Sequence, residues 1–147
     1  MDDPYGLERF VRAQASSYQQ ALSELERGRK HSHWMWWIFP QLEGLGSSAT
    51  SRAYSIKSEA EARAYLDHPL LGPRLRECAN AIMAVGGQSA TAILGSPDDL
   101  KLKSCATLFA HVSSPGSVFE RILDKFYGGE RDAATLRLLA DKPARPS

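Results

Sequence analysis

Between Glu26 and Arg52 the chain reads ERGRKHSHWMWWIFPQLEGLGSSATSR, and three kinds of side chain suited to chemistry follow one another there. Arg27, Arg29, Lys30, His31 and His33 come first, a group of cations and imidazoles that would attract an acidic ligand. Trp34, Trp36, Trp37 and Phe39 come next, rings that attract cations and stack on other flat groups. A glycine-serine turn over Gly44 to Ser48 then leads to Arg52. Backbone N–H groups at a helix start, with the Ser47 and Ser48 hydroxyls, can hold a phosphate or carboxylate. Folded around one cleft, these parts would bind a small anionic, nucleotide-like ligand. The candidate ligand-binding residues are Arg29, Lys30, His33, Trp36, Gln41, Ser47, Ser48 and Arg52.

Each part also has a plainer explanation. Cations favour a helix C-terminus, serines cap helix starts, and aromatic side chains fill cores. If residues 33–39 are helical, Trp34, Trp37 and Ile38 share one side, while His33, Trp36 and Phe39 lean toward another. One of those sides can be core. Buried indole and imidazole N–H groups need acceptors, which makes the other side costly as filler. The pattern predicts Trp34 and Trp37 inside and leaves Trp36 between core and site. An exposed aromatic patch would instead serve a protein partner or a second copy of the chain, forming a homo-oligomer.

Other residues narrow the chemistry without assigning a reaction. His31 and His33 are badly spaced for one helical face, and no HExxH or carboxylate-rich set accompanies them, so no metal is expected. Neither GxGxxG nor GK[ST] is present, and no cofactor is implied. No GxSxG elbow marks a serine nucleophile. Asp98 and Asp99 could exchange protons at a cleft edge, but a helix start accounts for both as dipole partners. Lys101 and Lys103 lie on opposite sides of that helix, so one can reach a ligand and the other solvent. Cys78 and Cys105 fall in helical patterns without CxxC and read as buried thiols.

The elements that must position these residues are helical. Leu7, Phe10, Val11, Gln14, Tyr18, Leu22 and Leu25 recur at helical steps and predict one long amphipathic helix ending at Gly28. Ser58 with Glu61, and Ser117 with Glu120, form capping boxes for two more. A helix from about Pro69 or Leu70 runs to Gly86, a short one covers Ala90 to Leu94, and a last one spans about Asp132 to Ala140. Ser96 as cap and Pro97 at the first turn open a helix whose apolar residues, from Leu100 to Val112, spread around its circumference; it should be central. No segment alternates with period two between hairpin turns. The expectation is an all-α, single multihelical domain over residues 1–141, with seven or eight helices of uneven length and a flexible tail over 142–147.

Composition agrees with a folded domain. The 147 residues are 43% hydrophobic and 24% charged, with 18 basic and 17 acidic side chains, a net charge of +1. No field of that size gathers nucleic acid or anionic lipid, and neither is an expected partner. The longest apolar run, Trp34 to Phe39, is far too short to span a membrane, and MDDPYGLERF lacks the features of a signal peptide. Both point to a cytoplasmic protein.

The segments RFVRAQ, GRKHSHWMWWIFPQLEGLGSSATSRAYSI, YLDHPLLGPRLREC and GSPDDLKLKSCATLF resemble a bacterial family of unknown function, often labelled calpastatin, over about residues 5 to 140. That resemblance implies a compact helical fold with a pair of central helices, and no activity or site residues. Phe10, Ala13 and Gln14 are also similar to a short motif of the NADAR group, helical enzymes acting on ADP-ribose-linked bases. This second likeness implies an N-glycosidase-type hydrolase with a cleft carboxylate, for which Glu8, Glu43, Asp98 and Asp99 are candidates.

Overall fold

The computed structural model describes residues 3–141; the expected tail over 142–147 lies outside the described residues. The helices in chain order are α1 (Glu8–Ala15), α2 (Tyr18–Glu26), α3 (Met35–Ile38), α4 (Ala49–Ala53), α5 (Glu59–Asp67), α6 (Leu71–Met83), α7 (Ala90–Leu94), α8 (Asp98–His111), α9 (Val118–Tyr127) and α10 (Ala133–Asp141). The fold is all-α, but the described residues hold ten helices rather than seven or eight. Their only β feature is an isolated parallel bridge between Leu42 and Ile56.

The helix expected over residues 7–25 is broken at Ser16 and Ser17. The Ser17 hydroxyl donates to the Ala13 carbonyl at 2.8 Å and accepts the Trp37 indole N–H at 2.8 Å. A serine bonding back to the preceding turn competes with the helical ladder. Beside it, buried Gln14 donates to the Trp37 carbonyl (2.8 Å) and to the Tyr65 hydroxyl (3.1 Å). The break is where the tryptophan segment docks, so local sequence and tertiary packing meet at one point.

Caps set several helix starts. Ser58 and Ser117 accept the N–H groups of Glu61 (3.1 Å) and Glu120 (3.3 Å), as a capping box requires. The two carboxylates reach one residue past the cap, to the N–H groups of Lys57 and Gly116. Helix α6 opens at Leu71 because His68 Nδ1 accepts from the backbone of both Leu70 and Leu71. Ser96 does not cap α8. Instead the Asp99 carboxylate takes the Leu100 N–H and the Thr91 hydroxyl.

Helix α8 is central: every residue from Ser104 to Ala110 is buried, and α5, α7, α9 and α10 pack around it. Leu100 departs from the expected pattern. At the first turn it is 57% exposed. Trp34, Phe39, Tyr65, Phe109 and Phe119 join one continuous core. Among the described residues no helix is long and apolar enough to cross a membrane.

Candidate functional site

Glu24 organises the loop that follows α2, and no sequence motif pointed to it. Its side chain is fully buried, and its two oxygens accept from the backbone of His31 (2.8 Å) and Ser32 (2.9 Å), the Ser32 hydroxyl (2.6 Å), the Trp34 indole (2.9 Å) and Gln20 (2.7 Å). Burial pushes the carboxyl group up. The hydrogen bonds from Ser32, Gln20 and His31 outweigh burial and hold it well below the usual carboxylate range. Lys30, expected to face a ligand, turns inward instead. Its ammonium meets Asp98 at 3.0 Å and the Ser32 carbonyl at 2.6 Å, and lies 5.1 Å from the Trp34 ring centre.

The three indoles occupy different environments. Trp34 is sealed in the core with Glu24 as acceptor. Trp37 is half-buried, donates to Ser17, and lies 5.2 Å from the Tyr54 ring. Trp36 is half-buried 5.9 Å from Trp37, has no indole acceptor among the described residues, and lines a small cleft with Gln41, Glu43, Ser51, Arg52 and Tyr54. The Lys101 ammonium lies 4.9 Å from the Trp36 ring centre and 3.3 Å from Asp98. Asp98 thus serves two ammonium groups, leaving one positive charge in excess below the indole.

The inner cleft holds about 20 Å³, room for little more than one water molecule. It adjoins an open groove of about 300 Å³ through Gln41, Gly46 and Ser51, and Lys101, Leu100 and Asp132 form the far wall. A nucleotide-sized ligand would have to lie in this outer groove. The turn leading into α4 is fixed by its glycines. Gly44 has φ +106° and faces Leu138, while a Cβ at Gly46 would come within 2.6 Å of Ser51. Arg9 anchors the other end of α4, donating to the carbonyls of Ala53 (2.9 Å) and Ser55 (2.8 Å) and to Glu61 (2.7 Å).

Trp36, Gln41 and Arg52 are therefore brought together. Arg52 donates to the Ser47 carbonyl and makes no ion pair among the described residues. The Gln41 carboxamide has no partner there either. Ser48 caps α4, accepting from the Ser51 N–H at 3.0 Å, and Ser47 contributes its carbonyl; neither lines the cleft. Arg29 and His33 are exposed and line neither space, because the Glu24 bonds fix the loop between them in another direction. Of the carboxylates considered for hydrolysis, Glu43 lines the inner cleft. Asp98 and Asp99 are held by the lysines and the helix start, and Glu8 is 3.9 Å from Arg12 on α1. Lys101 reaches the site, whereas Lys103 pairs with Glu130. Asp132 and Ser104 in the groove were not singled out from the sequence, since only tertiary packing brings them there. No group of three or more His, Cys, Asp or Glu among the described residues could hold a metal ion.

Fold and site together define an all-helical protein with a small indole-walled cleft that adjoins a groove at the start of its central helix. The chain belongs to the DUF1810 family, proteins of unknown function, which it matches over residues 4–139. A solved structure of a conserved hypothetical protein, Rv1873 of Mycobacterium tuberculosis, is 52% identical, covering 94% of this chain and 99% of the other, with a TM-score of 0.92. No curated protein matches the chain.

Proposed function

We propose that the protein binds a small acidic ligand of up to mononucleotide size, seated in the outer groove lined by Gln41, Ser51 and Lys101 and reaching the adjoining inner cleft lined by Trp36 and Arg52. The observation that carries this reading is the contrast among the indoles. Trp34 and Trp37 donate to protein acceptors, while Trp36 lacks one among the described residues and stands beside a guanidinium without an ion pair. Arg52 and Lys101 supply the positive charge, and Gln41 offers both a donor and an acceptor. Because Lys101 covers the Trp36 ring, a flat ligand group stacks there only if it draws the ammonium aside.

Thermal denaturation against nucleoside monophosphates, ADP-ribose and simple carboxylates tests this. A ligand at about a hundredfold excess over its Kd adds about 2.7 kcal/mol. Arg52→Ala and Lys101→Ala should remove the shift, and Trp36→Phe should remove any ligand-induced fluorescence change. Absence of a shift with every anion, or a shift indifferent to all three substitutions, overturns the reading. A second reading, self-association through this face, is favoured by Leu100, which lines the groove with Pro97 and Leu45. It predicts a concentration-dependent dimer in sedimentation that Leu100→Asp dissolves.

A further inference from the structure

At the opposite end of α8, some 20 Å along the helix by its rise per residue, a second groove runs between α5 and α6 on one side and the α8–α9 connection on the other. Two adjoining stretches of about 280 Å³ and about 360 Å³ share Arg76, Ser113 and Ser114. Arg63 and Asp67 line the first, and Arg121 lines the second. We propose that this groove binds a phosphate monoester of a hydroxyl-rich small molecule, with the phosphate held between Arg76 and Arg121. The inference is independent of the indole-walled cleft and the groove beside it.

Charge and partners carry the assignment. In a chain of net charge +1, three guanidinium groups line this groove against one carboxylate, Asp67. Arg63 is paired with Glu59 at 2.9 Å, and Glu59 is also bonded to His111 at 2.9 Å. Among the described residues the Arg76 guanidinium has only a 3.5 Å contact, to the Leu66 carbonyl, and the Arg121 guanidinium has no hydrogen bond or ion pair. These two arginines come from different packed helices, α6 and α9, so their guanidinium groups reach the groove from separate supports.

One guanidinium fork saturates the two oxygens of a carboxylate, whereas a phosphate monoester offers three terminal oxygens to two forks and to hydroxyl donors. The Ser113 and Ser114 hydroxyls, which have no partners among the described residues, supply such donors. In the adjoining stretch Asp67 can accept from ligand hydroxyls, the chemistry of a sugar or polyol body. Both volumes suit a small molecule.

Isothermal titration of the full chain with inorganic phosphate, glucose 6-phosphate and glucose tests the assignment. Glucose 6-phosphate should bind about tenfold or more tightly than phosphate, and glucose should not bind. Arg76→Ala and Arg121→Ala should each weaken phosphate about tenfold, with the fold checked by circular dichroism. Asp67→Asn should weaken glucose 6-phosphate and leave phosphate unchanged. The losses from Arg76→Ala and Arg121→Ala should persist in an Arg52→Ala background, where the first groove no longer contributes, which separates this groove from the other one. Phosphate affinity unmoved by both arginine substitutions, no binding up to about 10 mM, or a single-stranded DNA binding more tightly than glucose 6-phosphate would overturn it.

Discussion

The loop from Lys30 to Trp34 and the groove from Trp36 to Arg52 are neighbours in sequence that use their polar groups in opposite ways. In the loop, cation, hydroxyl and indole are directed at two acidic side chains, Glu24 and Asp98, and contribute to holding the fold. In the groove, the Trp36 indole, the Gln41 carboxamide and the Arg52 guanidinium keep donors without side-chain acceptors among the described residues. The same residue types therefore serve stability in one segment and are left without side-chain acceptors among the described residues in the next. What separates them is a buried carboxylate within reach.

The sharpest way to break this contrast is Glu24→Ala, which strands several buried donors. It should cost about 3–5 kcal/mol in urea denaturation. A loss below about 1 kcal/mol would show that the loop does not depend on its carboxylate. Next in size is Lys30→Met, expected to cost about 1–2 kcal/mol because the ammonium is buried against Asp98, while Lys101→Met should cost less than half as much. Equal costs would erase the distinction between the two lysines.

Acid unfolding sharpens the same point. The Glu24 carboxyl is held below its ordinary value of 4.5 in the folded chain, so its stabilising contribution is complete above that value. It is lost progressively as pH falls below it. Stability measured from about pH 6 down to pH 3 should fall less steeply in Glu24→Gln than in the wild type. Arg52→Ala, in the groove, should change stability by no more than about 0.5 kcal/mol. The smallest effect concerns the thiols. Burial pushes Cys78 up to about 12 and Cys105 well above its ordinary value, so neither should react with a maleimide at neutral pH until the chain is unfolded.

Much of this was legible in the sequence, and the failures have physical reasons. Helix existence followed from periodicity, and the serine caps at Ser58 and Ser117 are where the spacing put them. Trp34 in the core also follows from local pattern, as does the separation of Lys101 from Lys103, although the pattern did not say which of the two lies beside the Trp36 ring. The break at Ser17 was not legible, because it depends on an indole arriving from twenty residues away. Glu24 was hidden for a related reason: on a helix surface a glutamate looks solvated, and only the returning loop buries it. Lys30 departs from the expected site because sequence shows a charge without showing the carboxylate that already holds it, while Arg29 and His33 are exposed away from the cleft. The arginine groove escaped notice because its cations lie on three separate helices and its hydroxyls on a connection.

Asp98 has one further consequence. It sits between two ammonium groups that belong to different parts of the chain, one following α2 and one on α8. A ligand that recruits Lys101 releases that carboxylate to Lys30 alone, strengthening the tie that closes the tryptophan segment onto the interior. Occupancy at the surface would thus be felt as added rigidity several residues upstream, a mechanical link made by one shared counter-ion.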